Sequence, residues 1–151
     1  MSFKTFEDII AYAIQKEKEA VQFYNEASEQ EKYADAKSAF SSFAEEEQRH
    51  VTMLENISKS NVEHYKLRDI PNLKRSDYAV NIPYEPGMMF EDILRLAAKR
   101  EEMAFRFYTD LGNRSEKPEH KKLFQTLAQE EAKHKLKFET ILDDHFAEMG
   151  D

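Results

Sequence analysis

The chain of 151 residues has no cysteine, only three glycines and four prolines, and its first 70 residues contain neither glycine nor proline. Without cysteine there are no disulfides, iron–sulfur clusters, thiol catalysis or cysteine-ligated zinc, so any metal must be held by oxygen and nitrogen. Scarce glycine and proline remove the main breakers of regular structure and argue against a β-sandwich, which needs frequent turns. With 34% charged residues, the long uninterrupted opening reads as helix, and the expected class is all-α. No run of Lys or Arg exceeds two, and 30 acids against 22 bases leave a net charge of −8. Such a surface repels phosphate backbones, so nucleic acid is not an expected partner. The longest apolar run, Ile9 to Ile14, is far too short for a membrane span or a signal segment. The expectation is a cytoplasmic protein of one domain without membrane association.

What is present is a repeat. Shifted by 84 positions, Phe6-Glu7-Asp8-Ile9 falls on Phe90-Glu91-Asp92-Ile93, and 17 of the 52 positions from 6 to 57 match their counterparts without a gap. Glu17, Phe23, Tyr24, Glu46, Glu47 and His50 fall on Glu101, Phe107, Tyr108, Glu130, Glu131 and His134. Each copy reads as two helices. Thr5 with Asp8 resembles a capping box, Asp35 suits the N-cap of the second helix, and Gly112 suits the residue after the third. Pro118 suits the first turn of the fourth.

The expected organisation is a hairpin over 5–58, a crossover over 59–87 holding Pro71, Pro83 and Pro86, and a second hairpin over 88–148. Antiparallel neighbours need only about 2–8 connecting residues. The longer stretch can instead travel the ~38 Å of a 25-residue helix. Helices two and three are therefore expected to run parallel, giving a four-helix bundle from a duplicated hairpin.

The apolar stripe of each helix is interrupted by charge. Phe6, Ile9, Ala13, Ala20 and Tyr24 are in phase with Glu17; Phe40, Phe43 and Leu54 with Glu47 and His50. The second copy repeats this with Glu101, and with Glu131 and His134. The midpoint of 17 and 47 is residue 32 and that of 101 and 131 is residue 116, both in expected turns. The four Glu and two His thus form one layer at mid-bundle. Four buried carboxylates need compensation, and two divalent cations would supply it. Glu47–His50 and Glu131–His134, at i,i+3, can each clasp one metal, with Glu17 and Glu101 terminal and Glu47 and Glu131 bridging.

At these residues the chain resembles the ferritin-like di-iron carboxylate family, whose ligand set is a Glu from each of two helices and Glu-x-x-His from each of the others. Its stretches EKEAVQFY and FAEEEQRH are most similar to the rubrerythrin branch, here without the four cysteines of a rubredoxin domain. Rubrerythrins usually carry a further Glu one turn after the third-helix ligand, where this chain has Ala104. The six-residue set resembles the symmetric ferroxidase centre of bacterioferritins, although the fourth helix leaves little chain for the fifth helix of cage subunits.

The resemblance implies two iron ions, with manganese or zinc as alternatives. It also implies an oxidoreductase using O2 or hydrogen peroxide, by peroxide reduction or ferroxidase activity, with a role in oxidative stress. Electrons would come from an external donor such as a separate rubredoxin-like protein, and the assembly would be a homodimer. Iron binding or storage without turnover, and a structural metal scaffold, are the other two readings. Tyr24 and Tyr108 suit either hydrogen bonds to ligand carboxylates or plain core packing. Glu46 and Glu130, each one turn before the histidine of its own helix, suit either acceptance of that histidine's second N–H or a solvated face. His64, His120 and His145 read as surface residues.

Overall fold

The computed structural model describes residues 3–32, 34–60, 73–80, 82, 84–85 and 87–150. Helix α1 spans Phe6–Gln30, α2 Ala34–Ser60, α3 Phe90–Arg114 and α4 Pro118–Gly150. The Thr5 hydroxyl accepts the Asp8 N–H at 3.1 Å, while the Asp8 carboxylate accepts the N–H of Lys4 at 3.3 Å. This satisfies donors that the first helical turn leaves unpaired.

Two caps differ from expectation. Because α2 already begins at Ala34, Asp35 sits inside its first turn rather than ahead of it. Helix α3 continues through Gly112 to Arg114 and is closed by Ser115, whose N–H meets the Gly112 carbonyl and whose hydroxyl donates to the Leu111 carbonyl at 2.8 Å. Gly112 does not adopt a left-handed conformation and faces α4, where an added Cβ would stand 3.5 Å from Gln125 Cγ. Helix–helix packing, rather than a turn, is its setting.

Cross-helix bonds establish the topology. Tyr24 meets Glu101 and Tyr108 meets Glu17, so α1 and α3 run antiparallel. His50 meets Glu130 and His134 meets Glu46, so α2 and α4 do too. With each hairpin antiparallel within itself, α2 and α3 are parallel, as a long crossover requires. Of that crossover, residues 61–72, 81, 83 and 86 lie outside the described residues. Its described part includes Leu73, whose carbonyl accepts the Phe3 N–H at 3.1 Å, and a 3₁₀ turn at Arg75–Asp77. Gly87, at φ +91°, takes the left-handed backbone that leads into α3.

The core is in two parts. One joins Phe6, Ile9, Leu54 and Ile57 to Phe107, Leu111, Phe124 and Leu127. The other joins Phe23, Tyr24, Phe40 and Phe43 to Ile93, Ala97 and Phe138. A polar layer lies between them.

Candidate metal centre

That layer holds Glu17, Glu47, His50, Glu101, Glu131 and His134, each at most 5% exposed. Helical period brings them there, since each lies in the apolar stripe of its own helix. They fall into two groups: Glu17, Glu47, His50 and Glu131; and Glu47, Glu101, Glu131 and His134. Within each group one potential ligand atom per residue lies within 4.8 Å of every other, and Glu47 and Glu131 belong to both groups.

The outer atoms of the histidines and of two carboxylates are occupied. His50 Nε2 pairs with Glu130 and His134 Nε2 with Glu46. The Tyr108 hydroxyl donates to Glu17 Oε1 at 2.6 Å, and the Tyr24 hydroxyl donates to Glu101 Oε1. Each of the six residues retains one buried atom to which no described residue hydrogen-bonds: Glu17 Oε2, Glu47 Oε1, His50 Nδ1, Glu101 Oε2, Glu131 Oε1 and His134 Nδ1. His50 Nδ1 stands 3.0 Å from Glu131 Oε1, and His134 Nδ1 stands 3.0 Å from Glu47 Oε1. Buried polar atoms are rarely left unsatisfied in this way. An imidazole that donates through Nε2 presents a lone pair once Nδ1 gives up its proton, so each Nδ1, which here faces carboxylate oxygens, can become a ligand atom. Such a donor set suits a cation held by oxygen and nitrogen.

Without a cation, protons offset the carboxylates. Burial, reinforced by Glu47, pushes the Glu17 carboxyl well above its ordinary range; burial and the charge of Glu101 do the same to Glu131. Glu101 is raised by burial and by Glu47. Burial opposes ionisation of Glu47 as well, but the close approach of Glu17, His134 and His50 outweighs it and holds this carboxyl low. Burial disfavours charge on the imidazoles, yet the surrounding carboxylates win, raising His50 to about 11 and His134 to about 10.

The bonding partners cross the bundle. Glu46 serves the histidine of α4 and Glu130 that of α2, rather than each serving the histidine one turn along its own helix. Tyr24 and Tyr108 likewise reach the carboxylate of the opposite hairpin. His145, expected at the surface, is half-buried, pairing with Glu91 at 3.2 Å and packing against the Phe90 ring. His64 lies outside the described residues.

A cleft between α1 and α3, open to solvent, has Glu17, Glu47, Glu101 and Glu131 in its lining. Ala20 and Ala104 lie on its walls. Sequence reasoning missed this opening, although a small residue recurring one turn after Glu17 and Glu101 was a usable signal.

Residues 8–142 match the family model described as Rubrerythrin. The chain belongs to the Rubrerythrin family. Among solved structures, a ferritin-like diiron-carboxylate protein from Thermotoga maritima is similar, with a TM-score of 0.79 at 19% identity over 96% of this chain and 99% of that one. A hypothetical protein from Pyrococcus furiosus has a TM-score of 0.74 at 23% identity over 92% of this chain and 89% of that one. At such identities the likeness is one of fold, and the fold is that of ferritin-like diiron-carboxylate proteins. No curated protein sequence matches the chain. For this rubrerythrin-family chain, no helix among the described residues is long and apolar enough to cross a membrane.

Proposed function

We propose that the chain is a di-iron carboxylate oxidoreductase that uses O2 or hydrogen peroxide, by peroxide reduction or Fe(II) oxidation. The observation that carries this reading is the set of six buried, unbonded ligand atoms, one per residue, converging in two groups with two shared carboxylates. Glu17 and His50 would hold one ion, Glu101 and His134 the other, and Glu47 and Glu131 would bridge them. When bound, the iron pair supplies the redox change that the oxidant requires.

The chain's own residues prepare the site. Tyr108 and Tyr24 each occupy one carboxylate oxygen, leaving Glu17 and Glu101 a single free oxygen apiece. Glu130 and Glu46 accept the outer N–H of the histidines, directing each Nδ1 inward and strengthening it as a donor. The two apolar core halves exclude bulk water above and below the layer, and the α1/α3 cleft offers a path for a small oxidant. Reducing equivalents would come from a separate donor, in a cytoplasmic homodimer.

The test is anaerobic titration with Fe(II) followed by exposure to O2 or hydrogen peroxide. Two ions per chain and a near-ultraviolet ferric absorption are expected. Fewer than two ions, or no absorption at that loading, refutes the reading. Solution mass tests the dimer.

A further inference from the structure

If the chain reduces O2, the reading on which this inference rests, electron supply becomes a structural problem. Reduction of O2 to two waters takes four electrons, and two ferrous ions supply two. The chain has no cysteine to contribute others.

Two chains of tilted and edge-on aromatic contacts lead away from the buried layer. Tyr108, hydrogen-bonded to Glu17, packs on Phe107 with ring centroids 5.4 Å apart, and Phe107 packs on Tyr78 at 5.1 Å. On the other side Tyr24, bonded to Glu101, packs on Phe23 at 5.2 Å, and Phe23 on Tyr84 at 5.3 Å. The inner Phe-Tyr pairs belong to the sequence repeat. The outer tyrosines both come from the segment between the hairpins, which is not repeated. A third phenol, Tyr12, also packs on Phe107, at 5.3 Å.

These outer phenols differ in where a proton can go. A phenol that loses an electron becomes strongly acidic, so its oxidation is eased by a base on the hydroxyl. The Tyr78 hydroxyl donates to the Asp110 carboxylate at 2.5 Å. The hydroxyls of Tyr12 and Tyr84 are buried and have no hydrogen-bond partner among the described residues. Lys16 Nζ and the Arg75 guanidinium lie 5.5 and 6.0 Å from the Tyr12 ring centroid, and positive charge there opposes removal of an electron. Tyr78, although only 7% exposed, lines an open surface groove with Phe105 and Arg106, against which a donor can seat.

We propose that Tyr78, with Asp110 as its proton acceptor, is a one-electron relay between an external reductant and the buried centre by way of Phe107 and Tyr108. In each passage the Tyr78 phenol gives one electron inward and its proton to Asp110. A one-electron reductant at the groove then restores the phenol, and the proton returns from Asp110. Two passages supply the two electrons that two ferrous ions lack, and the four protons of the two waters come from solvent.

The test traps the oxidised relay. Protein given three Fe(II) per chain is mixed with O2 without other reductant and frozen for electron paramagnetic resonance. The bound pair supplies two electrons and Tyr78 two in succession, the third Fe(II), in solution, acting as the external reductant that restores the phenol after the first passage: O2, three Fe(II), the phenol and three protons yield three Fe(III), a neutral Tyr78 radical and two waters. A tyrosyl radical whose hyperfine pattern narrows with ring-deuterated tyrosine is expected in the wild type, Tyr12→Phe and Tyr84→Phe. Tyr78→Phe, which keeps the ring on Phe107, and Asp110→Asn are each expected to lower its yield about tenfold or more. A yield unchanged by Tyr78→Phe, or lowered equally by Tyr84→Phe, overturns the relay. Ferric absorption without a radical overturns it while leaving the oxidase reading intact. Absence of ferric absorption overturns that reading and the relay with it.

Discussion

Glu131→Gln separates a buried carboxylate kept for metal from one kept for folding. The side chain is 1% exposed, and its ionisation is opposed by burial and by the charges of Glu101, Glu47 and Glu17. An uncharged amide of nearly the same shape removes that repulsion. The metal-free variant should therefore melt within a few degrees of the wild type, or above it. Metal binding should respond in the opposite direction. With Fe(II) at a hundredfold excess over Kd, each site stabilises the folded state by about 2.7 kcal/mol, so two sites contribute about 5 kcal/mol. At about 2–4 °C per kcal/mol for a chain of this size, wild type should gain about 10–20 °C on loading. Glu131 belongs to both groups of ligands, whereas Glu17 belongs to one. Glu131→Gln should thus lose most of the gain, and Glu17→Gln about half. The assay is calorimetric melting under argon, with and without Fe(II). Metal-free destabilisation of Glu131→Gln in the ~2–5 kcal/mol range of a core truncation, or an undiminished metal-induced gain, would refute the reasoning.

Loading should release protons, because His50 and His134, raised to about 11 and 10, are charged at neutral pH and must give up the Nδ1 proton to bind metal. With those two protons alone, one per ion, Fe(II) affinity falls about tenfold at each site, and the overall two-ion constant about a hundredfold, for each pH unit of acidification near neutrality; calorimetric titration in buffers of different ionisation enthalpy counts them. Tyr108→Phe removes the 2.6 Å bond to Glu17 while keeping the ring, and should weaken Fe(II) binding about 10–100-fold with little change of fold, as measured by competition with a chelator. Glu46→Gln should perturb the ring-proton signals of His134 rather than His50 in the NMR spectrum of the Co(II)-loaded protein.

The helices were legible because their cause is local. Charge-rich sequence without Gly or Pro propagates helix, Thr5 caps it, and the 3.6-residue period assigns its buried face. The inward charges were legible too, since Glu17, Glu47, His50 and their counterparts interrupt stripes that are otherwise apolar. Partner choice was not. Sequence spacing relates residues along one helix, which is why Glu46 was read beside His50; helix rotation and antiparallel pairing carry it to His134 instead. His145 followed the same pattern: nothing near it in sequence announces the Glu91 carboxylate that it meets across the bundle.

By itself, then, the sequence determined a duplicated helical hairpin, the parallel run of its second and third helices, and a carboxylate–histidine layer, because periodicity, repeat offset and connection length are properties of the chain in one dimension. Tertiary structure alone decided which hydroxyl serves which carboxylate, which glutamate orients which histidine, that a cleft opens beside Ala20 and Ala104, and that Tyr78 comes to rest on Phe107. Those contacts arise between segments far apart in the chain, and only the relative rotation, height and approach of packed helices brings their atoms within bonding distance.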